Sequence, residues 1–433
     1  MINIVGAGVV GLSVAWALVQ RGQVVRLFDA QKPGFGASFG NSGSLSSSSV
    51  VPLATPGAAL SGVKMLLDSN APLVLRRRYL LRALPWLRQF VRVSDETTVN
   101  QVAGSLLEIL GETLPAWQRV LRDIGAQDLI RHTGQLHVYA SRQSLAADGF
   151  AWRLREAHGV RGERLDRDGL LAHQPGLGEH YTAGMFLPDC AAITDPHGLC
   201  QRLADALARA GATFIEAPVQ ALRPDGAIEA AGQVWPARAC VVAAGAWSMR
   251  LLAPLGVRIP LETQRGYHVQ RHRHEVAPGE VLRGPVVTAD SKAFIVPMRE
   301  GVRIGGTVEF AGLQAAPAPA RFALLRASFA RVFPQAPAAD GQADESTWMG
   351  HRPCLPDTLP VLGPLPGLPA LWAAFGHGHL GLTMSAVTGD WLARALCGDA
   401  PPSLQRFGAG RATLGASLTT ADNLPLQQTG APP

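Results

Sequence analysis

A glycine-rich hexapeptide, Gly6-Ala7-Gly8-Val9-Val10-Gly11, stands between an apolar run at Ile2 to Val5 and a helical pattern that reaches Ala17. A second apolar run, Val24 to Phe28, ends on the acid Asp29. This succession of strand, glycine turn, helix, strand and acidic terminus constrains the chain to a βαβ unit built for a dinucleotide. Gly6 permits the sharp exit from the strand, Gly8 leaves backbone bare for a pyrophosphate, and Gly11 lets the helix lie close to the sheet. The first helical turn, with Ala7, Val9 and Val10, offers unpaired N–H groups and a partial positive charge to phosphates. Asp29, about 20 residues on, can accept hydrogen bonds from a ribose diol, with Ala30 beside it, and would repel a 2′-phosphate. Among 47 glycines the triplet alone could arise by chance. The flanking elements falling in register make the argument.

At 433 residues the chain suits two domains, and a hydrophobic share of 47% can fill their interiors. The five cysteines, Cys190, Cys200, Cys240, Cys354 and Cys397, form no Cys-x-x-Cys pair. His197 and His351 each stand at His-x-x-Cys spacing, but neither has the further local ligands of a zinc site, so no metal is expected. A reduced, cytoplasmic setting follows, and the early fingerprint leaves no room for a cleavable leader. The formal net charge of +6 is modest, and no nucleic-acid partner is expected. Its distribution is uneven, because Arg76, Arg77, Arg78, Arg82, Arg88 and Arg92 fall in a Leu-rich stretch from Val63 to Val93 that includes Trp86. Such a segment either packs on its own domain with its arginines in solvent or lies on the inner face of the cell membrane as a peripheral contact. Both readings stay open. No run reaches the ~18 apolar residues of a spanning helix.

After Asp29, the small-residue stretch Gly34 to Ser49 carries Ser38-Phe39-Gly40-Asn41-Ser42-Gly43. Its position argues against a disordered linker: with Ser38, Asn41, Ser42 and Gly43 the backbone can pass beneath an extended cofactor. Helical periodicity governs Pro56 to Gly125, followed by a strand over Gly134 to Tyr139 and a helix near Leu145 to Ala157. From Asp195-Pro196-His197 the strand and helix texture of the N-terminus resumes, through a helix to Ala210, a strand to Glu216, Val219, and a buried strand from Ala239 into the Gly245 turn. The nucleotide-binding domain is therefore discontinuous. Strands at Glu262 to Gln270, Ala293 to Pro297 and Val302 to Thr307 predict an antiparallel sheet inserted into it, with helical spacing from Ala320 to Phe333. The last block runs from Trp348 through a Pro-rich loop, a strand at Ala370 to Phe375, a Gly/His loop and a helix from Leu382 to Leu396. The predicted bounds are 1–56, 190–250 and 348–410 for the nucleotide-binding domain and 57–189 and 251–347 for the second. An irregular tail spans 411–433, disordered from Leu424 to Pro433.

In this order, and over nearly the whole chain, the blocks resemble the FAD-dependent amine oxidoreductases of the D-amino-acid oxidase and glycine oxidase superfamily. The bacterial D-amino-acid dehydrogenase small-subunit type is the most similar. The resemblance rests on the N-terminal fingerprint, Ser38 to Gly43, Asn70-Ala71-Pro72-Leu73, Arg265-Gly266-Tyr267 and Val302 to Thr307. It rests equally on Gly350-His351-Arg352-Pro353 with Pro356-Asp357, and on Gly376-His377-Gly378-His379-Leu380-Gly381-Leu382-Thr383-Met384. It implies an α/β fold: a discontinuous Rossmann-like FAD-binding domain of glutathione-reductase type, with an inserted α+β substrate domain whose mixed sheet is largely antiparallel. FAD is implied in an elongated shape, adenine at the N-terminal unit and isoalloxazine against the second domain. Val219 matches the backbone contact on the adenine side, and Ala244, Gly245 and Trp247 match the loop beside the pyrophosphate. Trp247 reads equally as an aromatic wedge between domains. The loop from Gly376 to Thr383 opens a helix, so its N–H groups and dipole can face the flavin pyrimidine ring. Gly376, Gly378 and Gly381 keep that approach open, with His379, Leu380, Leu382 and Thr383 beside them. His377 and His379 read as structural hydrogen-bonders rather than catalysts.

Arg352 matches the family's carboxylate-binding arginine, and its planar fork suits the carboxylate of an α-amino acid; a surface salt bridge is the alternative. Tyr267 and His268 are neighbours on a strand, so one of them reaches the pocket. Tyr267 is the better donor to a carboxylate, with packing as its competing role. Near Ala289 and Phe294 the substrate-contacting tyrosines of glycine oxidases are missing, which points away from glycine and toward a larger side chain, with an apolar one among the options. The implied reaction is oxidative deamination of a D-amino acid: hydride passes from the α-carbon to flavin N5, and the imino acid hydrolyses to a 2-oxo acid and ammonia. Orientation and electrostatics carry such chemistry, so no general base is named. The same parts would serve a cyclic or N-substituted amino acid, such as D-proline, hydroxyproline, an opine or a sarcosine-like amine. A non-catalytic FAD-binding subunit and an NAD-binding regulator are the other readings, disfavoured by Arg352 and the Gly/His loop. The basic Leu-rich stretch favours a quinone or respiratory-chain acceptor.

Overall fold

The computed structural model describes residues 1–57, 71, 73–339 and 344–415. Asn70 and Pro72 of the family motif, positions 63–70 of the basic stretch and the tail 424–433 lie outside them. The N-terminal unit forms as its residue pattern demands. Ile2–Val5 is a wholly buried strand, the helix Val9–Val19 follows, and Val25–Asp29 pairs parallel with the first strand. Two glycines set how closely these elements approach. A Cβ on Gly6, where φ is +108°, would fall 2.4 Å from the Ala243 carbonyl oxygen, and one on Gly11 would fall 1.9 Å from that of Gly6.

Six strands make the first sheet, in the order Thr213–Glu216, Val25–Asp29, Ile2–Val5, Ala239–Val242, Leu368–Phe375 and Val361–Leu365, parallel except for the last. Ile2 and Ile4 face the helices Val9–Val19, Pro196–Arg209 and Gly381–Leu396. Val5 and Phe28 face a small sheet of Val219–Leu222, Ile228–Ala230 and Gln233–Trp235 on the other side. The helix Pro196–Arg209 starts where Asp195 accepts the Gly198 N–H, with proline in the first turn.

The second sheet has nine strands. Its path runs Glu345–Cys354, Glu262–Arg271, Gly301–Phe310, Phe294–Met298, Val286–Thr288, Gln135–Tyr139, Ala183–Leu187 and Glu163–Asp166, and Leu73–Leu75 joins beside Gly301–Phe310. Pairing is antiparallel except where Val286–Thr288 meets Gln135–Tyr139 and where Leu73–Leu75 joins. The helix Pro319–Val332 covers one face through Leu325, Phe329 and Val332.

Several expected boundaries move. The helical period over Pro56 to Gly125 conceals the strand Leu73–Leu75, too short to display alternation and formed by pairing with Val308–Phe310. The helix near Leu145 to Ala157 is two helices, Arg142–Ala147 and Gly149–Ala157, meeting at Asp148. Glu345–Cys354 pairs along its whole length with Glu262–Arg271, so the chain returns to the first sheet after Cys354 rather than at 348. Cross-strand register is a tertiary property, and no composition shift marks it. Arg411, placed by sequence in an irregular tail, is buried in a bidentate pair with Asp357.

Candidate active site

Residues of both sheets line one cavity of about 1560 Å³, larger than the ~300–1,000 Å³ usual for small ligands. Gly6, Gly8, Val9, Val10, Asp29 and Ala30 form one end. The Val9 N–H donates to Ser38 Oγ at 2.9 Å, so a serine hydroxyl stands at the helix N-terminus where an anion's oxygen is favoured. Asp29 accepts from Ala7 N at 2.8 Å and from Gln31 N at 3.0 Å, which holds its carboxylate beside the fingerprint. Val219, Ala244 and Gly245 line the same end, as does Trp247, whose ring meets His351 edge-on at 5.1 Å. Asn41 and Ser42 continue the wall. Ala7, Gly11, Gly43 and Gly376 stand behind it: Gly43 lies 2.1 Å, as a hypothetical Cβ, from the Ile193 carbonyl oxygen, and Gly376 lies 2.4 Å from Leu355.

The far end is the turn Gly378–Leu380 and the start of the helix Gly381–Leu396, where Gly378, His379, Leu380, Gly381, Leu382 and Thr383 line the cavity. Thr383 donates to Ser44 O at 3.1 Å and accepts from Ser46 N at 3.4 Å, tying this loop to the small-residue stretch. His377 is buried with Nε2 3.0 Å from Thr388 Oγ1. Burial pushes its pKa down to about 3, and burial with the nearby Arg352 charge pushes His379 down to about 4. Both are neutral near pH 7, so the loop presents backbone dipoles rather than cations.

Regular pairing of Glu262–Arg271 with Glu345–Cys354 puts Gln264, Gly266 and His268 on one face with Arg352, Gly350 and Trp348. The Arg352 guanidinium lies flat on Gly266, where an added Cβ would be 2.4 Å from Cζ. Its Nη1 donates to Thr307 O at 3.1 Å. Thr307 follows Gly306 at an irregularity in the pairing and has φ of +52°, a left-handed conformation rare for threonine. No carboxylate pairs with Arg352 among the described residues, and burial lowers its pKa. A desolvated guanidinium without a counter-charge is a receptor for an anion.

Tyr267 and His268 part company, as neighbours on a strand must. The Tyr267 hydroxyl lies behind the sheet, donating to Glu309 at 2.5 Å and accepting from Ala318 N at 3.2 Å, with Phe322 edge-on at 5.2 Å. The structure therefore does not bring it to Arg352. The buried Glu309 also holds Arg76 at 2.6 Å and Arg265 at 3.0 Å. His268 shares the face of Arg352, stacks on Trp348 at 5.3 Å and donates from Nδ1 to Gly40 O at 3.0 Å. Burial and the Arg303 charge take its pKa down to about 3.

A family profile described as FAD dependent oxidoreductase, DAO, matches residues 1–395. The chain belongs to this family. FAD is accordingly its cofactor, and the elongated cavity, the bare Gly8 and the two helix-opening ends fit that group. The chain is 35% identical over 408 residues to a D-amino-acid oxidase of Bradyrhizobium diazoefficiens, covering 92% of this chain and 96% of that one. It is 31% identical over 411 residues to a D-amino acid dehydrogenase of Xanthobacter autotrophicus, covering 92% and 96%. A solved glycine oxidase of Bacillus cereus shares the fold, with a TM-score of 0.71 at 19% identity over 95% of this chain and 98% of that one.

In this DAO-family member, sequence reasoning passed over Gln135 and His137. Gln135 Oε1 accepts from the Ser44 and Ser46 hydroxyls at 3.3 and 3.1 Å, and its Nε2 lies 2.7 Å from His137 Nε2. The available signal was polar alternation, Gln135, His137 and Tyr139 at period two in an otherwise apolar strand. Among the described residues, no helix is long and apolar enough to cross a membrane.

Proposed function

We propose that this flavoprotein oxidises a D-amino acid at its α-carbon, giving an imino acid that water converts to a 2-oxo acid and ammonia. The observation that carries this is Arg352: a cavity-wall guanidinium cradled on Gly266, hydrogen-bonded to one carbonyl and with no carboxylate partner among the described residues. The names of the two relatives support the D configuration. Bound FAD supplies the two-electron acceptor for the hydride that leaves the α-carbon. Arg352 holds the substrate carboxylate through its fork of N–H donors, while Gly266 and the Thr307 carbonyl fix the plane of that fork. His268 and His379, neutral near pH 7, add no positive charge against the substrate amine, whose lost proton passes to water. Anaerobic titration of the yellow holoprotein with D- and L-amino acids tests this. D-amino acids bleach the flavin, and Arg352→Ala stays yellow while kcat/KM falls at least 100-fold. Bleaching by L-amino acids alone, or an unaffected Arg352→Ala, refutes it.

The reading extends to a respiratory acceptor reached at the inner membrane face. The helix Leu80–Arg92 buries Ala83 and Trp86, and Trp86 Nε1 donates to Cys354 O at 3.2 Å. Leu81 is 80% exposed and Val91 51%, among Arg77, Arg78, Arg82, Arg88 and Arg92, while Leu87, Phe90 and Val91 also line the cavity. One helix thus forms both an apolar, basic outer surface and a wall of the flavin chamber, the disposition a quinone-type acceptor delivered from anionic lipid requires. Sedimentation with phosphatidylglycerol vesicles, lost in Leu81→Glu, is the expected result. Equal sedimentation of the variant refutes it.

A further inference from the structure

Besides Arg352, the cavity wall carries Arg155, Arg250, Lys292 and Arg303. Arg155 stands on the helix Gly149–Ala157. Its guanidinium lies over the Trp152 ring at 4.6 Å, Nη1 donates to Ala151 O at 3.3 Å, and Nε is buried with no hydrogen-bond partner among the described residues. The neighbouring acid is already engaged. Asp148 accepts from the Tyr139 hydroxyl at 2.7 Å, and that hydroxyl accepts from Trp152 Nε1 at 2.8 Å. Asp148 softens the Arg155 charge, yet no ion pair joins the two. Lys292, with φ of +50°, lines the same lobe.

His137 completes the set, and its neighbours settle which nitrogen carries the hydrogen. Because Gln135 Oε1 accepts from two serine hydroxyls, the Gln135 amide nitrogen is the atom facing His137 Nε2. Nε2 therefore accepts and Nδ1 keeps its hydrogen. Burial, with the Arg155 and Lys292 charges, holds this ring neutral, its pKa down to about 3. The lobe thus offers a guanidinium, an ammonium and an imidazole as donors, beside the Asp148 carboxylate that already accepts from Tyr139. Phe150, Leu187, Ala289 and Phe294 supply apolar wall around them.

We propose that this lobe is a second carboxylate subsite, and that the preferred substrate is an amino acid whose side chain ends in a carboxylate. The assignment rests on the oxidation proposed above, with the α-carboxylate on Arg352. A desolvated guanidinium is costly unless an anion meets it. Burial lowers the pKa of three that line the cavity, Arg352, Arg155 and Arg303; Arg303 is engaged by Gln270 Oε1 and the Asn41 carbonyl, whereas Arg155 Nε has no partner among the described residues. The geometry favours length. The strand of Arg352 and the strand Gln135–Tyr139, which carries His137, are five inter-strand steps apart, each of ~4.8 Å, so a side chain of several methylenes suits a reach from Arg352 toward the end that holds His137 and Arg155.

The test is a chain-length series on the holoprotein: D-aspartate, D-glutamate, D-2-aminoadipate and D-2-aminopimelate, each paired with its ω-amide, in wild type and Arg155→Gln. At least one of the longer acids exceeds its amide in kcat/KM by tenfold or more, and the ratio collapses toward unity in Arg155→Gln. Arg155→Glu turns the preference toward D-lysine. The ratio is an internal control against partial misfolding, and flavin absorbance verifies that each variant holds FAD. Acids no better than their amides, or a ratio untouched by Arg155→Gln, overturn the proposal. So does glutarate that perturbs the flavin spectrum through Arg155 without competing with D-alanine, because the carboxylate then belongs to a free effector. If uncharged D-amino acids also fail to bleach the flavin, the oxidation reading itself fails, and the loss is distinguishable from failure of the subsite alone.

Discussion

Replacing Gly266 with alanine separates substrate binding from folding. The added Cβ would sit 2.4 Å from Arg352 Cζ and 2.5 Å from both terminal nitrogens. Ordinary contact needs about 3.4 Å, so the guanidinium must retreat by roughly 1 Å. The atoms struck are the far end of a flexible side chain, not backbone, so the fold absorbs the change. In a strand interior alanine also gains ~0.5–1 kcal/mol over glycine. What is lost is alignment with the substrate carboxylate. One charge-assisted hydrogen bond is worth about 1.5–3 kcal/mol, which predicts a 10- to 150-fold fall in kcat/KM with Tm within a few degrees of wild type. Anaerobic stopped-flow bleaching gives Kd and the limiting rate separately, and the loss falls mainly on Kd. Because Gly266 acts through Arg352, the Gly266→Ala/Arg352→Ala double variant is no worse than Arg352→Ala. Additive losses, or a Gly266→Ala enzyme with wild-type kcat/KM, would refute the cradle.

Two further outcomes follow from buried ionisable groups. His268 and His377 are 4% and 2% exposed and are held neutral, their pKa values down to about 3, whereas in the unfolded chain each protonates near ~6.5. Between those values the unfolded chain binds more protons, so stability falls as pH drops below 6.5, by up to about 1.4 kcal/mol per pH unit per histidine. Urea midpoints at pH 7.5 and 5 measure it: His377→Gln flattens the dependence, and equal midpoints in wild type contradict the burial argument. Asp357 is fully buried and accepts from Arg411 at 2.7 and 3.0 Å and from Thr413 at 2.5 Å. Arg411→Ala strands that carboxylate and should cost ~3–5 kcal/mol, with Asp357→Asn in the same chain restoring part of the loss on thermal melting; no drop in Tm would mean the pair contributes nothing.

What could be read from sequence was local. Gly6, Gly11 and Asp29 lie within one βαβ unit, and their spacing alone dictates a strand exit, a close helix and an acid at the next strand's end. The Arg352 fork was legible as chemistry, through the family pattern around it. The surfaces against which these groups act come from distant chain. Alternation says that Tyr267 and His268 point oppositely, but not which of their side chains shares the face of Arg352. That is decided by the register of Glu262–Arg271 on Glu345–Cys354, which puts Gly266 and His268 with Arg352 and sends Tyr267 to Glu309. The carbonyl that steadies Arg352 depends on a left-handed Thr307, hinted at by a double glycine inside a strand but placed only by the irregular pairing across from Tyr267.

These particulars have a common physical thread. Where the chain meets cofactor and substrate, the decisive residues are often ones that withhold a side chain: Gly8 at the helix N-terminus and Gly266 under the guanidinium. Chemistry that depends on orientation and fixed dipoles asks for backbone brought close, and a Cβ at Gly266 would hold the guanidinium off by about an ångström. The histidines nearby are buried to neutrality, so the positive charge of the chamber wall comes from its arginines and Lys292. An amino acid entering it is therefore sorted by where its carboxylates fall. On the proposed assignment Arg352 holds the carboxylate every α-amino acid carries and the Arg155 lobe discriminates between side chains, so a variant there should change which substrate is preferred while Arg352→Ala weakens all of them alike.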